Sequence, residues 1–223
     1  MLAGGLHEAR SKPAVLSLVL ELEHRGSWPL AVALGIVVLC LLAMSFWRRP
    51  PVFSTAAAVG FCSMGWWLLL IATWQATRGS VYSEIGILTA IFMAGLAGGA
   101  GLACKWSQPE RLLPLALAAG AALSLLIAGG VAIQFPLAAV PVLLIAGGGL
   151  TGMAFPGLTA LSGLASRRGA GIAFAADEAG AAAGALVVGI IALPWAGLTA
   201  TAWGLAALQV AAVPAVFMAL RRG

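Results

Sequence analysis

The chain has 223 residues, of which 62% are hydrophobic and only 9% are charged, and its mean hydropathy is +1.05. A soluble domain averages about 25% charged residues, so a chain this poor in charge could not cover itself with a water-compatible surface. The net charge of +5 does not indicate nucleic-acid binding, because the basic residues lie mostly at the ends of apolar segments, half of them in adjacent pairs, and form no basic face. The composition excludes a soluble protein and indicates a membrane protein.

The first 27 residues form a tail that precedes the apolar segments. Within residues 13–24, Ser17, Glu21 and His24 form a polar stripe at helical spacing, opposite a face of valine and leucine. This pattern is typical of an amphipathic helix on a membrane surface, with a docking segment for a partner subunit as the alternative. A signal peptide is disfavoured, because acids interrupt the apolar run and no basic segment precedes it.

Seven apolar stretches follow, and each can cross a bilayer, because ~20 residues at 1.5 Å rise span its ~30 Å hydrocarbon layer. The predicted spans are 28–47, 52–75, 81–104, 112–133, 137–161, 170–193 and 196–220, with a tight turn at 194–197 between the last two. The sequence therefore predicts an all-α, multi-pass membrane protein. Its parts are an external tail (1–27), one extra transmembrane helix (28–47) and a six-helix, half-transporter-like bundle (48–223).

The basic residues predict the orientation of these spans. With seven crossings, one side of the membrane carries Arg48, Arg49, Lys105, Arg111, Arg167, Arg168, Arg221 and Arg222. The positive-inside rule places that side in the cytoplasm. We therefore expect the N-terminus outside and the C-terminus inside a cell membrane (inner or plasma membrane).

Small residues recur at four-residue spacing in three predicted spans. Helices in lipid associate through close packing, which such stripes permit. We expect contact between helices of the bundle here, with a dimer seam as the alternative. The predicted packing positions are Gly95 and Gly99 in the third span, Gly148 in the fifth, and Gly180 and Gly184 in the sixth.

Asp177 and Glu178 are the acidic residues that fall deep inside a predicted span. Asp177 lies nine residues beyond Arg168, which at 1.5 Å per residue is ~13 Å from the cytoplasmic edge. An acid at that depth costs ~2.5–3.5 kcal/mol, and such residues usually face the bundle interior or a wet cavity. The pair is therefore the leading candidate for a functional site.

Pro156, in the preceding span, supplies a candidate partner for this site. Proline has no N–H, so the carbonyl of Gly152 loses its usual helical donor. The proline is ~16 Å from the same membrane edge, close to the depth of Asp177. We expect Asp177, Glu178, Gly152 and Pro156 to form a polar site that binds a cation, a proton or an amine. The alternative is that backbone or threonine groups satisfy Asp177, which then only fixes packing.

Other polar and aromatic residues are interpreted as structural. Glu84 begins the third span beside Tyr82, and we expect it to pair with Arg78 or with the tail. The adjacent Trp66 and Trp67, and also Gln209, are expected in helix packing or facing lipid.

The residue types missing from the spans narrow the function further. The predicted spans contain neither histidine nor lysine, which excludes a bis-histidine haem and a retinal Schiff base within the bundle. The sequence has no serine–histidine–aspartate or HExxH arrangement, and its three cysteines form no CxxC motif. We therefore expect no enzymatic activity, no catalytic residue, no metal site and no cofactor.

Three stretches within residues 52–195 carry a resemblance to a known family. They are Gly60–Met64 followed by Gln75, Val81–Gly86 followed by Phe92–Gly99, and Phe174–Ala185 followed by Leu193-Pro194. In these stretches the chain resembles the membrane domain of spermidine synthase-like integral membrane proteins, the fused transporter/spermidine synthase family.

The resemblance implies a half-transporter-like bundle and does not imply polyamine synthesis. This sequence contains no aminopropyltransferase domain, and Trp67 stands where the family's first motif usually carries an acid. A site that uses that acid is therefore not expected in this chain.

Two functions fit these observations. The first is a non-catalytic integral membrane subunit that anchors or organises a larger complex, as the tail helix, short loops and glycine stripes suggest. The alternative is a half-transporter-like module that binds or moves a small cationic solute, polyamine-like or proton-coupled, around Asp177. Both predict the lipid bilayer as surroundings and a homo-oligomer, or a complex with other membrane or extracytoplasmic subunits. Neither predicts nucleic acid as a partner.

Overall fold

The structure is a computed structural model that describes residues 51–79, 82–106, 108–161 and 167–220. All regular structure in these residues is helical, so the all-α prediction is confirmed for them. The predicted surface helix at 13–24 and the extra transmembrane helix at 28–47 lie outside the described residues.

The described residues form six α-helices whose ends lie within a few residues of the predicted spans, apart from α5, which ends seven residues before residue 193. They are α1 (Pro51–Arg78), α2 (Tyr82–Ala103), α3 (Leu112–Ala132), α4 (Ala139–Leu161), α5 (Arg167–Leu186) and α6 (Leu193–Leu220). A 3₁₀ turn at Pro109–Arg111 precedes α3, and a π-helical turn at Val187–Ala192 joins α5 to α6.

Gly197 divides the longest apolar stretch of helix. This stretch, Ala170–Ala211, has 42 residues, roughly twice what one crossing of a ~30 Å hydrocarbon layer needs. Gly197 has φ 76° and ψ 177°, a positive-φ conformation that glycine adopts readily and that is not helical. The helix is therefore kinked at the turn predicted for residues 194–197.

Five helical stretches are long and apolar enough to cross a membrane. They are Phe53–Arg78, Tyr82–Ala103, Leu112–Ala132, Ala139–Ala160 and Ala170–Ala211. Many large apolar side chains point outward from them, including Ile87, Met93, Leu126, Val142 and Trp203. Such an outer surface suits lipid better than water, and the bundle is compatible with a multi-pass membrane protein.

Four helices form a ring around the core, and two pack on the ring from outside. In the ring, α1 contacts α4 and α6, and α3 contacts the same two helices. The outer helix α5 packs along α1, and the outer helix α2 packs along α4. Helices next to each other in sequence barely touch in the pairs α1–α2 and α4–α5. Each outer helix therefore lies on a ring helix that is not its neighbour in sequence.

Helices α1–α3 and α4–α6 are two copies of one arrangement. Exchanging α1 with α4, α2 with α5 and α3 with α6 turns the α1–α5 contact into the α4–α2 contact. The same exchange turns α1–α6 into α4–α3 and leaves α1–α4 and α3–α6 as they are. The bundle is therefore an internal repeat of three helices. The middle helix of each unit packs against the first helix of the other unit.

The residues in close backbone contact are related by the same exchange. Between equivalent helices, the numbers of the corresponding residues differ by a constant amount. In both outer pairs a Cβ atom added to the glycine would overlap backbone atoms of the facing helix. The equivalent contacts are Gly60 on Asp177 and Gly148 on Phe92, Gly180 on Ala57 and Gly95 on Ile145, and Gly184 on Phe61 and Gly99 on Gly149. The repeat thus extends to single residues.

The two units have opposite directions. Trp66 of α1 lies beside Gly147 of α4, whereas Val59, nearer the start of α1, clusters with Ala154 and Leu158, nearer the end of α4. Helices α1 and α4 therefore run antiparallel although they are equivalent. The two three-helix units are related as an inverted repeat.

Candidate functional site

Asp177 and Glu178 lie near the middle of α5, at the edge of its contact with α1. The backbone of Asp177 touches Gly60, its side chain is half-buried, and the side chain of Glu178 is exposed. Among the described residues, neither carboxylate has a hydrogen bond or an ion pair. The backbone of Asp177 is therefore fixed by the contact with α1, while both carboxylates lack a partner in the described part of the chain.

Around Glu178, the exposed residues of α5 whose side chains the structure describes are apolar. These residues include Phe174, Ala175, Ala179 and Ala182, which surround the glutamate. A carboxylate within such a surface is expensive in lipid unless a cavity or another protein group covers it.

The equivalent residues of α2 show that the glycine contacts do not require an acid. By the repeat, Asp177 corresponds to Phe92 and Glu178 corresponds to Met93. Phe92 is buried in the larger core cluster, and Met93 is exposed on the outer surface. The acidic pair therefore breaks the symmetry of the repeat in one unit.

Gly152 and Pro156 lie at a height similar to that of Asp177 but pack on another helix. The rings of Phe155 and Phe174 meet edge to face at 6.2 Å, about one turn from Gly152 on α4 and from Asp177 on α5. The backbone of Gly152, however, contacts α2, whereas that of Asp177 contacts α1. Pro156 lies inside α4, which remains helical to Leu161. The structure thus brings these residues to one level without a contact between Gly152 and Asp177.

The five predicted packing glycines all lie against the backbone of a neighbouring helix in the same chain. In α2, Gly95 and Gly99 contact α4, and Gly148 of α4 contacts α2 in return. In α5, Gly180 and Gly184 contact α1. These glycines therefore hold the outer helices on the ring.

A polar cluster joins the end of α1 to the start of α2. The Trp74 Nε1–H donates to Glu84 Oε2 over 2.6 Å, and Arg78 Nη1 lies 3.7 Å from Glu84 Oε1. The guanidinium of Arg78 also lies over the Trp74 ring, 5.3 Å from its centroid. The expected pairing of Glu84 with Arg78 is present, and it closes a short connection between two helices.

The described residues contain no group of three or more histidine, cysteine, aspartate or glutamate side chains that could hold a metal ion. Two adjacent carboxylates in apolar surroundings can attract a proton, an organic cation or a basic side chain.

Two polar residues of the core line a pocket that the sequence does not predict. Trp66 and Gln209 are expected in packing, but both line a pocket where the two repeat units meet. The signal available in the sequence is the set of small residues opposite them, Gly120 and Gly147, which leave room beside the indole and the amide.

Comparison with known proteins adds no relative to this description. No family model matches the chain, and neither a curated protein nor a solved structure matches it.

Proposed function

We propose that this chain is a non-enzymatic integral membrane protein of the half-transporter type, which works together with a second six-helix unit. The observation that carries the proposal is the inverted repeat of α1–α3 and α4–α6. Inverted three-helix repeats build each half of a large group of secondary transporters, and one half alone does not enclose a transport path. In this proposal the chain crosses a cell membrane (inner or plasma membrane) seven times, with its N-terminus outside and its C-terminus in the cytoplasm.

The solute site of this proposal is the acidic pair on α5. Asp177 and Glu178 carry the charge, and Gly152 and Pro156 at the same level are the candidates for backbone contacts. A small cation, polyamine-like or a proton, suits two adjacent carboxylates that have no partner among the described residues. The resemblance to the spermidine synthase-like membrane domains favours a polyamine as the first probe.

Thermal unfolding of the purified full chain in lipid nanodiscs tests this site, with spermidine as the probe. We expect spermidine to raise the melting temperature of the wild-type protein, because a ligand that binds only the folded state stabilises it. The increase should disappear in Asp177→Asn, which keeps the shape of the side chain and removes its charge.

The matched control is Glu84→Gln, which removes an acid at the end of the bundle. This variant should keep the response to spermidine, because Glu84 is already paired with Arg78 and Trp74. Two results would reject the cation site. The first is an equal response to spermidine in wild type and Asp177→Asn. The second is a wild-type protein whose melting temperature responds neither to spermidine nor to a lowered pH.

A second candidate function is a non-catalytic subunit that anchors or organises a larger membrane complex. The observation that favours it is the exposed Glu178 on an apolar helix face, because a basic or hydrogen-bonding group of a partner would satisfy this carboxylate in lipid. Native mass spectrometry from membranes separates the candidates. A partner that is lost in Glu178→Leu but kept in Met93→Leu, the equivalent position of α2, would support the subunit role.

A further inference from the structure

A small pocket lies inside the ring of α1, α3, α4 and α6, where the two repeat units meet. Every helix of the ring contributes to it, and α2 and α5 do not. It is lined by Val59, Trp66, Ala116, Leu117, Gly120, Leu150, Thr151, Ala154 and Gln209. The free space is about that of one water molecule. The pocket is thus separate from the acidic pair on the outer helix α5.

Two hydrogen-bonding side chains in the pocket wall are buried, and the indole of one of them lacks a partner among the described residues. Trp66 is only 4% exposed, and its Nε1–H has no acceptor in the described part of the chain. Gln209 is 5% exposed, and its amide nitrogen lies beside Gly120. Thr151 Oγ1 donates to the carbonyl of Gly147 over 2.9 Å and keeps its own lone pairs available. The pocket therefore offers both donors and acceptors.

Two further buried hydroxyls, one on α3 and one on α6, are unsatisfied in the described part of the chain. Ser124 lies one turn from Gly120 on α3, and its buried Oγ has no partner among the described residues. The same holds for Thr201 Oγ1 on α6. Thr201 and Gln209 are eight residues apart on one face of α6, or about 12 Å. We call Gln209, Ser124 and Thr201 together the polar seam.

The energetics favour a neutral occupant for these groups. A buried donor or acceptor without a partner costs about 1–3 kcal/mol, and a bound water commonly satisfies such groups. Dry cavities in proteins are lined by apolar side chains only, which is not the case for this pocket. No charged side chain lines it, so nothing in it selects an ion.

We propose that the pocket is a binding site for a single water molecule and that the polar seam holds further water. The water in the pocket accepts the hydrogen bond from Trp66 Nε1 and bonds to the amide of Gln209 and the hydroxyl oxygen of Thr151. This places a hydrated site inside the ring, between helices of both repeat units. The inference does not depend on transport or on the acidic pair.

X-ray hydroxyl-radical footprinting of the full chain in nanodiscs tests the proposal with water itself as the probe. Radicals generated from a bound water oxidise the side chains that touch it, even when those side chains are closed to bulk solvent. We expect oxidation of Trp66 at a rate far above that of Cys62. Cys62 is the matched internal control, because it lies one turn away on the same helix, is 1% exposed, reacts readily with radicals and does not line the pocket.

A variant distinguishes oxidation of Trp66 by bound water from oxidation during transient opening of the bundle. Gln209→Leu removes the amide that holds the water and should lower the oxidation of Trp66 several-fold, without changing that of Cys62. Gln75→Leu, at the end of α1, is the matched control and should leave Trp66 oxidation at the wild-type rate. If Gln209→Leu does not fold, Thr151→Val serves the same purpose, because it removes a pocket oxygen at almost constant volume.

Two results would overturn the proposal. The first is oxidation of Trp66 no faster than that of Cys62, which means a dry pocket. The second is a Trp66 rate that Gln209→Leu and Thr151→Val leave unchanged. Neither result bears on the spermidine response of Asp177, so failure of the water site and failure of the proposed function are distinguishable.

Discussion

The α1–α5 pair and the α2–α4 pair are held together by the same contacts, yet they differ in charge. In both, glycines bring two parallel backbones into direct contact, and in both the outer helix belongs to the other unit of the repeat. On α2 the residue facing the inner glycine is Phe92, which is buried in the core. On α5 it is Asp177, half-buried and without a partner among the described residues.

This difference separates what the fold requires from what it does not. Close glycine packing occurs in both pairs, so it is a requirement of the architecture. The acids occur in one pair only, and the other pair is stable with apolar residues at those positions. The acidic pair is therefore best explained by a role outside the packing of the chain, which is why we connect it to solute or partner binding.

Moving the acid to the other pair should have the largest effect. Phe92→Asp places a carboxylate at a buried position, at about 2.5–3.5 kcal/mol for the charge, and removes an aromatic side chain worth about 3–5 kcal/mol. We expect no stably folded protein, as measured by yield and by size-exclusion chromatography in mild detergent. Its reciprocal, Asp177→Phe, should fold. A stable Phe92→Asp variant would show that the two pairs are not distinguished by burial.

Adding one carbon at equivalent glycines should destabilise both pairs to a similar degree. Gly95→Ala and Gly180→Ala each introduce a Cβ that overlaps a facing carbonyl, and overpacking of this kind costs about 1–3 kcal/mol. Thermal unfolding in nanodiscs measures the loss. The control is Gly98→Ala, where the added Cβ meets open space, so this variant should lose no stability and should gain up to about 1 kcal/mol, because alanine is favoured over glycine inside a helix. A loss in only one of the two variants would contradict the equivalence of the pairs.

Replacing the acid by an apolar residue should leave the fold intact or make it more stable. In Asp177→Leu an unpaired carboxylate is removed from an apolar environment, so the melting temperature should stay the same or rise while binding is lost. A fall in stability comparable to that of Gly180→Ala would mean that Asp177 is part of the packing, which is the structural alternative for this residue.

The cluster at the end of α1 should contribute least. Glu84→Gln weakens the ion pair with Arg78, which is largely exposed, and exposed pairs contribute at most about 1 kcal/mol. We expect a small decrease in stability relative to wild type. High salt should make this difference smaller still, because it screens the ion pair. A large decrease would indicate that the α1–α2 connection contributes more to the stability of the fold than the glycine contacts do.

The sequence predicts the helices of the described region well and their arrangement poorly. Length and apolar content determine where a chain crosses a bilayer, so the helix ends, apart from that of α5, differ from the predicted spans by only a few residues. Which helices are neighbours depends on contacts distant in sequence. Consecutive helices such as α4 and α5 are expected to meet, and these two barely touch.

The internal repeat leaves only a weak signal in the sequence. Ala94-Gly95 followed by Gly99 in α2 has the same spacing as Ala179-Gly180 followed by Gly184 in α5. The residues between them differ freely, because many apolar side chains serve equally well on a lipid-facing surface. Only the positions in backbone contact are constrained, and glycines at these positions are too few to reveal a repeat on their own.

The candidate site is likewise predictable only in part. The predicted level of Asp177 beside Gly152 agrees with the Phe155–Phe174 contact, whereas its depth in the membrane stays a prediction. The pocket around Trp66 and Gln209 does not follow from the sequence, because four helices that are separate in sequence form it.

Cysteine labelling from each side of the membrane tests the inverted repeat most directly. In a protein whose Cys40 and Cys62 are replaced, Cys104 between α2 and α3 is an exposed native reporter for one side. Gly79→Cys, after α1, and Gln134→Cys, before α4, report the other ends. We predict that an impermeant maleimide added outside labels positions 79 and 134 and leaves Cys104 unlabelled until the membrane is opened. Labelling of positions 79 and 134 from opposite sides would contradict the antiparallel relation of α1 and α4, and with it the inverted repeat.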